Sequence, residues 1–186
     1  MEEISNIIRI LEETKKAIEG KNYSEIKNLS NQTINTASLT QDPDNIAVAV
    51  LVYSLSKLLE RDYYKSLSGW ENFYKITIDS LTKSIISLKK NDLDKFREEF
   101  GRIRKIIEKL SGKLKEDILE VFRKAQINKA SRIYEHGISM GQTAKLLGIT
   151  IFELANYAGQ SELSETFENK TMNQKSRIKL AMDIFK

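Results

Sequence analysis

A chain of 186 residues with a formal net charge of +4 is long enough to bury a core without covalent staples. It has no cysteine and one histidine, which excludes disulfides, a thiol nucleophile and a cysteine- or histidine-rich metal centre. The charge is uneven, with 10 Lys/Arg against 12 Asp/Glu in residues 1–87 and 12 against 8 in residues 88–128. That excess is weak beside the basic footprint of dedicated DNA-binding domains.

One proline, few glycines and apolar residues recurring at three and four predict an all-α protein. Ile4, Ile7, Ile8, Leu11 and Ile18 form the first helical stripe, which Gly20 ends, and a second helix starts near Tyr23. Asp42-Pro43 is a cap followed by proline in the first turn, a strong start signal. The run Ile46–Val52 behind it is apolar on all sides, as in a central, surrounded helix, and is far too short to span a bilayer. With a start, MEEISNII, that has neither basic nor apolar leader character, the expectation is a cytoplasmic protein with no membrane partner.

A break at Ser66–Gly69 precedes a helix carrying Trp70, Phe73, Leu81 and Leu88. Asn91-Asp92 caps the next, which turns Phe96, Ile103 and Ile107 inward. The turn Gly20-Lys-Asn has an echo in Lys90-Asn-Asp, which two helical hairpins in one bundle explain. The charged residues Arg97, Arg102, Arg104, Lys105 and Lys109 alternate with Glu98, Glu99 and Glu108, with Glu98–Arg102 spaced to pair, as on a solvated face. Tyr53, Tyr63, Tyr64, Trp70, Phe73 and Tyr74 read as core and hairpin packing. From about Lys113 a long helix runs to Tyr134 and ends at Gly137.

The segment Ile138–Tyr157 carries the pattern of a helix-turn-helix. Ala144 is the small residue where two helices meet, Leu147 closes the first helix, Gly148 supplies a left-handed corner and Ile149 plugs the core. Thr150 and Glu153 are spaced as a capping box, and Leu154 falls where the second helix buries a side chain. Gly159 to Asn169 is polar and expected to be loop-like. Thr171 to Phe185 then sets Ile178, Ala181 and Ile184 against Lys175, Arg177 and Lys179.

The expected architecture is an N-terminal multi-helix bundle over residues 1–125. A long helix joins it to a C-terminal helix-turn-helix module with a closing helix, over residues 126–186. No linker rich in Pro, Gly or Ser separates the two, so the junction is expected to be rigid.

From Ala130 to Gly159 the sequence ASRIYEHGISMGQTAKLLGITIFELANYAG resembles the helix-turn-helix segment of small prokaryotic antitoxin-like proteins. Their pattern is a helix ending in Tyr-x-x-Gly, then Ser-x-Gly-x-Ala-Ala-x-Leu-x-Gly-Ile-Ser, then an aromatic-rich helix. Thr143 departs from the usual alanine. The closing segment from Arg177 to Phe185 is also similar to the tails of that group, and residues 1–125 resemble nothing so recognised. The resemblance implies a transcription regulator or an antitoxin-like protein, often encoded beside a toxin of the PIN nuclease type, and it assigns no chemistry to any residue.

On this basis the expected function is non-enzymatic, DNA-associated regulation, with double-stranded DNA approached by Ser139, Gln142, Lys145, Thr150 and Asn156. Asn156 is the one good base reader, through bidentate contact to adenine. The second helix offers no Arg or Lys there, and Glu153 would be repelled by phosphates. The alternative is an interaction or oligomerisation module whose exposed Ile151 and Phe152 anchor a toxin-like partner or a second copy. Arg132 and His136 share a helix face in the manner of helical ribonucleases of the HEPN type, but their spacing is shorter than those enzymes use. A helix-end role for His136 is the simpler account. No phosphate loop, nucleophilic triad or metal-spaced carboxylate set occurs, so neither cofactor nor metal is expected.

Overall fold

A computed structural model describes residues 3–168, which hold nine α-helices and no strand. In chain order these are α1 (Ile4–Glu19), α2 (Tyr23–Thr40), α3 (Pro43–Leu59), the single turn α4 (Asp62–Lys65) and α5 (Trp70–Lys89). α6 (Leu93–Lys109), α7 (Gly112–Glu135), α8 (Met140–Leu147) and α9 (Ile151–Glu168) follow. The segment Thr171–Phe185 lies outside the described residues.

Local chemistry sets most of the boundaries. The Asp42 carboxylate accepts from the backbone N–H of Asp44 at 2.8 Å, with Pro43 already inside the first turn. Asn22 and Asp92 accept from the N–H groups of Glu25 and Lys95 in the same way. The two echoing turns share one geometry. Lys21 and Asn91 both sit at positive φ, and the residue after each donates its N–H five positions back, to Ala17 and Ser87. Two hairpins, α1–α2 and α5–α6, result.

Two apolar cores lie along the molecule. The larger joins α1 to α7, with Ile10, Leu29, Leu55, Leu81, Phe96 and Ile118 among its fully or almost fully buried members. Tyr64, Trp70 and Phe73 belong to it, with Trp70 stacked between Tyr64 and Tyr74, whereas Tyr63 is exposed. The smaller core gathers Ile34 and Ala37 of α2, Ile46 and Ala49 of α3, Ala130 and Ile133 of α7, and Ala144, Leu147, Ile149 and Leu154 beyond it. α8 and the start of α9 therefore share one core with α2, α3 and α7. At about 25 cal/mol per Å² of apolar burial, that shared core explains why no tether is needed between them.

Three expectations are corrected. α3 is central, but one side of it is open: Ala47 is exposed and Val50 half-buried, both lining a groove described below. The stretch expected to be loop-like from Gly159 is helical to Glu168. No proline interrupts it, and a lone glycine costs a helix only about 1 kcal/mol. Arg102 does not pair with Glu98; its guanidinium lies 2.5 Å from Asp79 of α5 and 3.4 Å from Glu99. Arg97 likewise reaches Asp44, so much of the basic face is compensated by neighbouring helices.

Candidate functional site

The corner between α8 and α9 is built by its own sequence. Ser139 caps α8, accepting from the N–H of Gln142 at 3.3 Å. Gly148, at φ 64°, ends the helix. Its N–H and that of Ile149 fold back onto the carbonyls of Lys145 and Ala144, closing a Schellman turn. Thr150 Oγ1 then accepts from the Glu153 N–H at 3.2 Å, while the Glu153 carboxylate accepts from the Thr150 N–H at 2.8 Å. That is a complete capping box. Ala144, Leu147, Ile149 and Leu154 are buried, as their spacing requires.

One contact at this corner has no local sequence signal. Arg123, on α7, donates from Nε to Glu153 Oε1 at 2.9 Å and from Nη2 to Oε2 at 2.6 Å, and from Nη1 to the Gly148 carbonyl at 3.0 Å. A single guanidinium thus ties α7 to both the turn and the second helix. Hydrogen bonds from the Thr150 backbone and hydroxyl, followed by the one from Arg123, hold the Glu153 carboxyl down at about 2. The carboxylate foreseen as a repulsive group on the α9 face is therefore already neutralised within the molecule.

The residues foreseen as DNA contacts do not converge into one charged surface. Gln142 is spent on Gln41, to which its side-chain amide donates from α8 back to the end of α2. Ser139 and Thr150 are spent on caps. Lys145 and Asn156 are exposed, and Lys145 has no ion-pair partner among the described residues. Tyr157 accepts through its hydroxyl from Asn128 Nδ2 at 3.0 Å, pinning α9 along α7. Beside Asn156 the surface is apolar. Phe152 is 81% exposed and Ile151 52%, both at the first turn of α9. Arg132 is engaged with Glu135 at 3.0 Å, and His136 closes α7 through its backbone N–H.

Sequence reasoning missed an apolar groove next to this corner. It encloses about 800 Å³ between α3, α6, α7 and α8, with Val50, Phe100, Phe122 and Leu146 on its walls and Arg104, Glu108 and Arg123 at its rim. The half-exposed Leu119 of α7 lines it too, and no sequence pattern set that residue apart from the buried ones around it. Compared with protein-family models, curated proteins and solved structures, the chain matches none. The function therefore rests on the groove, the corner and the exposed pair.

Lys129 is the other functional oddity. Its side chain is fully buried where α7 crosses α2 and α3, with Nζ donating to Asn31 Oδ1 at 2.8 Å and lying 4.3 Å above the Tyr53 ring. Among the described residues no carboxylate pairs with it. Burial, with Arg132 and Lys27 nearby, pulls its pKa to about 7, and burial also raises that of Tyr53.

Proposed function

We propose that α7, α8 and α9 form a helix-turn-helix module carried on an N-terminal helical bundle, and that this module docks protein rather than reading DNA. The observation that carries the proposal is the outward start of α9. Phe152 and Ile151 stand exposed there with Ala155 and Asn156, and among the described residues the basic group that reaches this helix, Arg123, is consumed by Glu153 and Gly148. A recognition helix for DNA needs cations for phosphates before it needs base readers. A protein-docking helix needs an aromatic anchor, which Phe152 supplies. In the antitoxin-like role that the sequence resemblance implies, a toxin-like protein or a second copy would cover this face.

DNA-associated regulation is the second reading, favoured by the neutralised Glu153 and by the exposed Lys145 and Asn156, Lys145 having no ion-pair partner among the described residues. A duplex-DNA titration over a salt series separates the two. Protein docking predicts no binding that falls steeply with salt. DNA reading predicts steep salt dependence, with affinity lost on combining Asn156→Ala and Lys145→Ala.

A further inference from the structure

We infer that a small pocket beside the turn between α1 and α2 binds an aromatic carboxylate, a single ring carrying one negative charge. The inference is independent of how α9 is covered, because no residue of α7, α8 or α9 lines this pocket. It encloses about 210 Å³, lined by Tyr23 of α2 and by Trp70 and Tyr74 of α5 together with the buried Leu59 of α3. Benzene fills a dry cavity of about 150 Å³, so one ring and a small substituent fit here and a second ring does not. The aromatic wall is set before a ligand arrives. Trp70 is 7% exposed, and its ring lies within 20° of parallel to those of both Tyr64 and Tyr74.

The ionic groups at this pocket select its occupant. In the larger groove the rim charges pair with one another; here the ionisable groups besides the tyrosines are two ammonium groups, Lys21 and Lys65, and no carboxylate lines the space. Lys21 stands exposed in the turn with no ion-pair partner among the described residues. Lys65 is bonded to Asp62, whose side chain is 91% exposed, and an exposed pair of that kind is worth little. An ammonium has three donors, so Lys65 can hold Asp62 and a second acceptor together. Rings around a void also suit a cation, but two lysines at the same void repel one. A neutral ring would leave both lysines without a counter-ion. An aromatic carboxylate meets both requirements, its ring replacing water against the aromatic wall and its oxygens accepting from the lysines.

Trp70 is the chain's sole tryptophan, so its fluorescence reports on this pocket directly. The test is a titration of the full chain with benzoate at neutral pH and low salt, with excitation where benzoate does not absorb. A saturable change in Trp70 emission is expected, with a Kd of about 1 mM or below. Benzamide, the same ring without the charge, should bind at least about tenfold more weakly. Lys21→Asn should weaken benzoate by a similar factor with thermal unfolding unchanged, since Lys21 sits at positive φ and Asn91 holds the same place in the echoing turn. Benzamide matching benzoate, or Lys21→Asn leaving the affinity unaltered, overturns the selection by charge. Acetate displacing benzoate at equal concentration overturns the role of the rings. No saturable change in emission overturns the site.

Discussion

Arg123 of α7 holds Glu153 of α9 in a two-pronged grip at 2.9 and 2.6 Å, across 30 positions of sequence. The same guanidinium reaches the Gly148 carbonyl, so the angle between α8 and α9 is fixed from outside the motif. Arg123→Met should loosen that corner, detected as faster amide exchange across residues 148–154. The pH dependence has a definite sign. Glu153 is held below its ordinary value, so its contribution is present above about 4.5 and is lost as pH falls toward 2. Glu153→Gln should flatten that acid limb of the thermal unfolding profile. An unaltered limb would contradict the assignment.

Gly148 is required by backbone conformation alone. At φ 64° a side chain is strained, yet a Cβ placed there would meet nothing within 4 Å. Gly148→Ala should therefore cost about 1–2 kcal/mol, and Gly148→Asn markedly less, since Asn tolerates the left-handed region. Equal losses for the two would point to a contact rather than to the backbone. Chemical denaturation measures both.

Lys129 makes stability depend on alkaline pH. Its pKa is about 7 in the folded chain against an ordinary 10.5, so the unfolded chain binds the extra proton between those values. Stability should rise from pH 7 toward 10.5 and level off outside that window. The charged groups nearest it, Lys27 of α2 and Arg132 of α7, both act in the same direction, and Tyr53 of α3 stays neutral over most of the window because burial raises its pKa. Lys129→Met keeps the volume and removes the buried amine, leaving the exposed Asn31 to water. It should stabilise by about 1–3 kcal/mol at neutral pH and abolish the rise. Destabilisation would mean that the contact with Tyr53 outweighs desolvation.

Thr143, where alanine is usual in the resembling pattern, is fully buried and its hydroxyl has no hydrogen-bond partner among the described residues. Thr143→Val replaces that hydroxyl with a methyl of similar size. It should raise stability by about 1 kcal/mol in chemical denaturation, since an unpaired buried hydroxyl carries an unrecovered desolvation penalty. A loss of stability would show that the hydroxyl does find a partner.

What was legible in the sequence was local. Caps at Asn91-Asp92 and Asp42-Pro43, the Gly148 corner and the Thr150–Glu153 box each depend on residues within a few positions, and each forms as its spacing dictates. What was hidden depends on residues far apart. Arg123 meets Glu153, Gln41 meets Gln142 across 101 positions, and Lys129 meets Asn31 across 98. No periodicity announces which helix will supply a partner. The groove was hidden for the same reason, because Ala47 and Val50 read as one more buried face until α6 and α7 leave it open.

The central claim is that the first turn of α9 is covered by protein. Hydrogen–deuterium exchange of the peptide spanning residues 150–158 tests it most directly, because the opening N–H groups of a helix have no partner within it. Exchange there should slow as protein concentration rises, and duplex DNA at low salt should leave it unchanged. Exchange indifferent to protein concentration but slowed by DNA, with the effect reversed by salt, would contradict the account.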